Sequence, residues 1–500
     1  MKTQFKALYL LASISLLTFS TSGCKDYLEI PVEATEPVET IDYTDVSRTQ
    51  GLLVGAYSLL GSWRGPGEWA QLAVMAIRGD DVEKGNPSPS DQATLTSFHN
   101  FDYSEAASFW ALENTWNGGY SAISEMNEAI AAFGKYKENG ADAATMNDYI
   151  AQVRVIRAYS YFRLARLFGA VPVFTTIEEQ KANPKRSTFE KVMKFIINEM
   201  EEAAPDLKAV KPNAATIPGS FTKYTALAVE AKAAAEIQDY DTVLSATQAI
   251  IDAYGESALV SDYSKVFNNS GNLSDENLLE VQFSSLTNPQ TYDDNYFCFQ
   301  GPAHSIQSVV TFSGNNLSGG WGFLPPTEKL EQLMSSRGEG IRYKVSILKV
   351  GEYTYAGDLI VADASKPYPT MYSGKAYNPS NLTASNANWW GSNNSIKLIR
   401  YADILLLNSE AKVKKGQNGD QPFNWVRKRA GMPEKTGVTF DDVMEERFVE
   451  LCLENGERYY DLTRTGLASK ELSGYSEDKR FFPIPQTALD SSKTLQEDPE

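Results

Sequence analysis

The first residue with reactive chemistry in a telling position is a thiol. Cys24 stands directly behind Ser20-Thr21-Ser22-Gly23, four residues small enough to enter a signal peptidase. Ahead of them lie Lys2 and Lys6, then a run from Ala7 to Phe19 that is apolar except for hydroxyl residues. These are the charged and hydrophobic regions of a secretory signal. The run is shorter than the roughly 20 apolar residues a spanning helix needs. A cysteine after such a cut is the nucleophile that bacterial lipoprotein processing alkylates with a diacylglyceryl group. Residues 1–23 are therefore expected to leave as a signal peptide, with Cys24 as the acylated N-terminus. Several acyl chains, at about 0.8 kcal/mol per buried methylene, hold a protein on a bilayer where one chain is marginal.

The second chemistry is aromatic. The chain carries 8 Trp and 26 Tyr, and several of them sit among Gly, Asn, Ser and Pro. Sugar rings present apolar C–H faces fringed by hydroxyls, so a glycan site combines exposed aromatic platforms with Asp, Asn or Arg. Four stretches have that make-up: Trp63-Arg-Gly-Pro-Gly-Glu-Trp69, followed soon by Arg78-Gly-Asp-Asp81; Tyr292-Asp-Asp-Asn-Tyr296; Gly319-Gly-Trp-Gly322; and the Trp389-Trp390 pair. Candidate ligand contacts are thus Trp63, Trp69, Arg78, Asp80, Asp81, Tyr292, Trp321, Trp389 and Trp390. At least one loop tryptophan is expected to be exposed, since rigid aromatics are favoured contact residues. Trp116 and Trp425 fall on helical faces and are assigned to the core. Asp80, Asp81 and Glu83 read as a solvated acidic turn rather than a calcium site.

Other chemistries find little support. The two histidines, His99 and His304, have no nearby Cys or His, so no metal is expected and no Ser/His/Asp set can be assembled. A glycoside hydrolase would need two carboxylates about 5 to 9.5 Å apart across a cleft. The 64 acidic residues leave that alternative open, but no motif marks such a pair. The chain is read as a non-enzyme without a cofactor. Its formal charge of −18 becomes −20 once residues 1–23 take Lys2 and Lys6 away. Such a surface repels phosphate backbones, which excludes nucleic acid as a partner. Cys452 lies within an apolar helical pattern and is expected as a buried thiol rather than as a partner of Cys298.

The elements that must position these groups are mostly helical. Residues 24–45 are acidic, contain proline and lack an apolar period, so they read as a tether ahead of one domain, 46–500. Apolar periodicity predicts helices at Val46–Leu60, Ala106–Phe133, Met146–Phe168, Thr188–Glu202, Thr222–Ile237 and Thr242–Ala253. It resumes at Tyr401–Lys415, Pro422–Ala430 and Asp441–Asn455, the last opened by a capping-box pair of Asp442 and Glu445. Leu227-Ala-Val-Glu-Ala-Lys232 and Leu407-Asn-Ser-Glu-Ala-Lys412 share one pattern, and each precedes a turn and a second helix. That suits either tetratricopeptide-type helix pairs or two unrelated amphipathic hairpins. From Tyr254 to Ser395 the composition shifts to Gly, Asn, Ser and Pro, with short strands expected at Leu278–Phe283 and Tyr343–Leu348. Long loop excursions on a helical scaffold are the inference, and such loops usually carry binding.

The C-terminal quarter adds specific motifs. Arg400-Tyr-Ala-Asp-Ile-Leu-Leu-Leu407 with Glu410-Ala411, Glu446-Arg-Phe-Val-Glu-Leu451, Glu454-Asn-Gly-Glu-Arg458, Tyr460-Asp-Leu-Thr-Arg-Thr-Gly466 and Phe482-Pro-Ile-Pro485 resemble the SusD/RagB family. Upstream, Arg157-Ala-Tyr-Ser-Tyr-Phe-Arg163, Leu167-Phe-Gly-Ala-Val-Pro172 and Trp116 with Tyr120, Ile123 and Asn127 resemble it in the same order. Two departures are visible: Gly338-Glu-Gly-Ile-Arg342 lacks the aspartate usual before this arginine, and Asn408-Ser409 replaces the common Tyr-Ala. The resemblance implies a SusD-like, tetratricopeptide-like helical scaffold with long irregular loops and a few short strands. It implies an outer-membrane lipoprotein, facing the cell exterior, that binds a glycan or other oligomeric nutrient. It also implies that the protein acts as the lid of a SusC-like TonB-dependent transporter. The acidic stretch behind Cys24 resembles a surface-export signal of Bacteroidota-type lipoproteins. A surface hydrolase and a scaffold without a ligand are the alternatives. Physically, Arg447, Glu450, Arg458, Asp461 and Arg464 alternate in sign near Leu451 and Leu462 and read as buried ion pairs that lock the last helix.

Overall fold

The apolar stripes of residues 110–168 fold into an antiparallel pair, Trp110–Glu138 and Ala143–Phe168. Asp142 starts the second helix by accepting from the Thr145 amide at 2.9 Å, and the helix ends at Phe168, the end that periodicity predicts, with Gly169 as its cap. Helices then add one on the next: Phe189–Ala203, Lys223–Glu236, Tyr240–Tyr254, Tyr401–Lys414, then Asp420–Arg429 and Phe440–Leu451. Small residues let them approach; Ala226, Ala228, Ala231, Ala233 and Ala234 are all buried on one short helix. The two L-x-x-E-A-K segments do open helix pairs, and those pairs pack on each other through Tyr240–Tyr254 and Tyr401–Lys414. The two departures from the family pattern have local partners. Asn408 Nδ2 donates to Thr247 Oγ1 at 2.9 Å and the Ser409 hydroxyl to the Gly419 carbonyl at 2.9 Å. Glu339 supplies the missing carboxylate, accepting from Arg337 Nε and Arg342 Nε at 2.7 Å each.

The computed structural model describes residues 41–62, 64–283, 295–301, 307–310, 316–317, 320–362, 369–377, 379–380, 382 and 394–500. Residues 41–45 belong to a unit of their own, in which Asp42 accepts from the Thr44 amide at 2.9 Å. The unit from Val46 to Glu500 is mostly α. None of the described helices is long and apolar enough to cross a membrane. Cys24, with the rest of the first forty residues, lies outside the described residues.

The excursion of the middle third starts and ends on one ladder. Strand Asn277–Val281 pairs antiparallel with Ile396–Arg400, which runs straight into the helix Tyr401–Lys414. The Tyr401 amide donates to the Glu276 carbonyl at 2.8 Å and closes the corner. Between these strands, Gln307–Val310 pairs with Asn316–Leu317 and Leu359–Ala362, and Ile347–Lys349 with Met371–Ser373. The strand expected at Tyr343–Leu348 is mostly helix: Ile341–Ser346 is helical, and the chain extends only from Ile347. Helical spacing puts Arg342 and Val345 on one buried face, whereas a strand would send them to opposite sides.

The alternating charges of the C-terminal motifs form a buried frame. Arg447 donates to Asp403 at 2.7 Å and Asp461 at 2.8 Å; Arg464 reaches Asp461 at 2.7 Å and Glu410 at 2.5 Å. Glu450 receives Arg342 and Arg400 at 2.9 Å and Arg429 at 2.5 Å. Burial alone would raise the carboxyls of Glu450 and Asp461, but the surrounding guanidiniums outweigh it, and Asp461 is lowered to about 2. Cys452 is a buried thiol, as expected, and donates to the Val449 carbonyl at 3.4 Å.

The last long helix starts one residue earlier than predicted because the cap is different. Thr439 and Asp442 form the capping box, with the Thr439 amide donating to Asp442 Oδ2 at 2.9 Å, while Glu445 pairs with Arg337. The helix stops at Leu451 because Leu453, Asn455 and Gly456 all take positive φ. At Gly456 (φ 75°) a Cβ would lie 2.4 Å from the Met75 carbonyl oxygen. Gly456→Ala is therefore expected to cost about 2–4 kcal/mol from left-handed strain and overpacking together, read as a lower urea midpoint. A midpoint within about 0.5 kcal/mol of wild type, ordinary for a surface substitution, would contradict this account.

Candidate functional site

Three indoles converge at one edge of the helical array. Trp69 opens the helix Trp69–Ala76, and Trp110 opens the helix Trp110–Glu138. Their ring centroids are 5.3 Å apart, and Trp69 also meets Phe299 at 4.7 Å and Trp321 at 5.5 Å. Phe299 in turn stacks on Phe323, 4.6 Å away and nearly parallel. Trp69 and Trp321 are half-buried, whereas Trp110 is 37% exposed. Trp110 is held by its Nε1–H, which donates to Gln92 Oε1 at 3.1 Å.

Three chain segments cross to build this surface. The amides of Trp321, Gly322 and Phe323 donate to the carbonyls of Cys298, Gly301 and Phe299 at 2.7, 2.8 and 2.9 Å. On the other side, the amides of Asn86 and Glu83 donate to the carbonyls of Gly322 (2.6 Å) and Pro325 (3.0 Å). Asn86 Nδ2 spans the Trp321 carbonyl at 3.0 Å and Asp91 Oδ2 at 3.1 Å. The crossing requires glycine at 320, where a Cβ would lie 1.9 Å from the Cys298 carbonyl oxygen. Lys84 folds back on the Ser88 carbonyl at 2.8 Å, and burial lowers its ammonium pKa against the pull of Asp91. The result is an aromatic ledge with an amide and a carboxylate at its rim. That arrangement can stack the apolar face of a sugar ring and hydrogen-bond its hydroxyls.

The sequence-predicted residues divide. Trp69 and Trp321 meet in this ledge. Arg78, Asp80 and Asp81 are instead structural. Arg78 is 1% exposed, with its guanidinium carbon 4.1 Å from the ring centres of both Tyr459 and Phe482, and it donates to the Arg480 carbonyl at 2.9 Å. Asp80 takes Arg458 and Lys329 at 2.6 Å each. Asp81 accepts from the Leu453 amide at 2.8 Å, and burial pushes its carboxyl up to about 6. Arg-Gly-Asp-Asp reads as a surface turn, but residues 70–76 ahead of it are buried throughout, so the turn emerges inside and latches the 453–458 turn. Trp63, Tyr292, Trp389 and Trp390 lie outside the described residues. Trp116 is core, as expected, and Trp425 is half-buried.

Sequence reasoning missed Trp110, Gln92 and Asn86. Trp110 did carry a signal. At about 100° per residue it stands roughly 200° from Leu112, Trp116, Gly119 and Ile123, the buried stripe of its own helix. A tryptophan opposite the apolar stripe has no core to enter.

Residues 275–481 match the family model described as "SusD family", and residues 78–234 match the model "Starch-binding associating with outer membrane". A SusD-like protein of Formosa agariphila is 23% identical over 505 residues, with 93% of each chain covered. A SusD-like protein of Bacteroides ovatus is 25% identical over 371 residues, covering 70% of this chain and 64% of that relative's length. Among solved structures, a SusD homolog from Bacteroides thetaiotaomicron has a TM-score of 0.76 at 21% identity, covering 94% of this chain and 99% of the other. Surface glycan-binding protein A from the same organism, in complex with laminarihexaose, has a TM-score of 0.71 at 20% identity, covering 90% and 98%. At these identities the structural likeness speaks for the fold.

Proposed function

The chain belongs to the SusD/RagB family, and from that premise we propose that it is a non-catalytic, surface-exposed glycan-binding lipoprotein of the outer membrane. Acylated Cys24 anchors it, residues 24–45 tether it, and the ledge of Trp69, Trp110 and Trp321 captures an oligosaccharide for a SusC-like TonB-dependent transporter. The observation that carries this reading is Trp110, a large indole held part-way into solvent by Gln92 beside two further tryptophans. Trp63, Tyr292, Trp389 and Trp390 are proposed as further contacts. The laminarihexaose bound to the similar glycan-binding protein supports the ligand class. That protein is described as a binding protein, which supports the non-enzymatic reading. A lipid anchor ahead of the binding body suits a lid, since it holds that body at the membrane beside a transporter.

Calorimetric titration of the detergent-solubilised protein with laminarihexaose and hexasaccharides of other linkage tests the reading. Binding of at least one, with the sugar recovered at its original length, is the expected result. Release of shorter products would overturn the non-catalytic reading, and absence of binding across the panel would overturn glycan capture. Cys24→Ala should move the protein to the soluble fraction with its affinity unchanged. Loss of affinity in that variant would refute the division between anchor and binding body.

A further inference from the structure

The charge around the ledge is one-sided. Residues 65–134 supply Trp69, Asn86, Gln92 and Trp110, and Arg78 and Lys84 are the only Lys or Arg in that stretch, whereas carboxylates recur from Glu68 to Glu128. Residues 295–327 supply Phe299, Trp321 and Phe323 and contain no Lys, Arg, Asp or Glu. Both cations are committed elsewhere. Arg78 is buried against Tyr459 and Phe482, and Lys84 is buried with its ammonium on the Ser88 and Pro89 carbonyls at 2.8 and 3.4 Å. Of the cations that flank these segments, Arg64 pairs with Glu125 and Lys479 faces Asp102.

Two carboxylates, in contrast, are exposed and fixed at the rim. Asp91 Oδ2 accepts from Asn86 Nδ2 at 3.1 Å, and the same amide holds the Trp321 carbonyl at 3.0 Å. The next residue, Gln92, holds Trp110, so Asp91 is tied to the indoles at both ends of the ledge. Glu105 Oε2 accepts from Thr94 Oγ1 at 2.8 Å, two residues on from that Gln92 contact. The opposing field is weaker. The helices Trp69–Ala76 and Trp110–Glu138 both begin at the ledge, and a helix N-terminus carries about half a positive charge. Glu68 occupies the N-cap position of the first and Glu113 lies in the first turn of the second, which offsets both. Asp91 and Glu105 remain as surplus negative charge.

We propose that Asp91 and Glu105 make the ledge a charge filter, which takes uncharged glycans and turns away chains that carry uronate or sulfate groups. The filter acts on the ledge's glycan binding and so rests on that reading. A uronate carboxylate about 6 Å from either residue is disfavoured roughly threefold even at the dielectric constant of water, and the two together give about tenfold. Hydroxyls and C–H faces escape that penalty, because Asn86 and the indoles meet them without charge. Discrimination then comes from a repulsive element rather than from added contacts to the favoured chain.

Matched probes separate charge from linkage. Laminarihexaose, cellohexaose and mannohexaose are each titrated into the detergent-solubilised full-length protein beside the C6-oxidised form of the same chain, whose primary hydroxyls have become carboxylates. At least one neutral chain should bind, and its oxidised form should bind at least about tenfold more weakly at about 10 mM salt. At about 1 M salt, where the screening length falls to roughly 3 Å, that ratio should drop below about threefold. Asp91→Asn with Glu105→Gln keeps an acceptor for Asn86 and for Thr94. It should bring the ratio below about threefold at low salt, whatever it does to the neutral affinity. A ratio that stays near tenfold in the double variant, or that salt leaves unchanged, would place the rejection in shape or in the surface at large and overturn the filter. Oxidised chains that bind as well as neutral ones would overturn it while glycan capture stands. Silence of every probe would overturn capture and the filter with it.

Discussion

Replacing Glu450 by Ala is expected to cost the protein about 3–5 kcal/mol, enough to remove a large fraction of the stability of an ordinary domain. The reason is the number of cations left behind. Arg342, Arg400 and Arg429 all donate to this one carboxylate, and the side chains of all three are buried. Glu276, Glu446 and Glu454 still pair with members of the set, which limits the loss but cannot restore the charge balance. The urea midpoint reads the effect, and a shift worth under about 1 kcal/mol would mean that the frame relaxes or admits water. The same frame sets the acid limit. Glu450 and Asp461 have lowered pKa values in the fold, so their stabilisation is complete above their unfolded values near 4 and is lost as pH falls through the folded ones, about 2 for Asp461. Asp81 and Glu230 work in the opposite sense. Burial raises them to about 6 and about 7, with Asp80 beside Asp81 and Glu201 and Asp239 near Glu230 adding to the rise. Their ionised forms penalise the fold at higher pH, and that penalty fades as pH drops from about 7 towards 4. Stability should therefore rise slightly on mild acidification before it collapses; a steady fall from neutral pH downward would contradict this assignment of charges.

Much of this frame was legible in the sequence because charge and apolar residues alternate there at short range. Arg447, Asp461 and Arg464 lie within one helix–turn–helix, so local spacing alone brings them near each other. Helix positions were legible for a similar reason: the period of 3.6 is a local property, and Ala143–Phe168 or Tyr401–Lys414 differ from expectation only at their ends. What failed depends on long-range packing. Arg342 sits in a helix rather than a strand because Glu446 and Glu450, about a hundred positions later, hold its guanidinium. Arg78, Asp80 and Asp81 look like a solvated turn until Tyr459, Arg458 and the Leu453 amide close over them. The ledge was half legible. Glycine-rich surroundings marked Trp69 and Trp321, but nothing local says that the first residues of two helices separated by 41 positions will touch.

That juxtaposition leads to the sharpest test of the ledge, because its two helix-opening tryptophans should behave differently. Trp110 has one face in solvent and one polar anchor, so Trp110→Ala removes contact surface for a ligand and little of the core. Glycan affinity should fall about ten- to a hundredfold, ~1.4–2.8 kcal/mol, while the urea midpoint stays within about 0.5 kcal/mol of wild type. Trp69 is wedged between Trp110, Phe299 and Trp321. Trp69→Ala opens a cavity under all three, so it should lose affinity and also about 3–5 kcal/mol of stability. Trp110→Phe keeps a ring but loses the Nε1–H to Gln92, and it should fall between wild type and Ala in affinity. If Trp110→Ala binds the sugar as wild type does, the ledge is packing and the capture surface lies elsewhere. If Trp110→Ala destabilises as strongly as Trp69→Ala, the exposed indole is part of the core, and its contribution to binding cannot be separated from the fold.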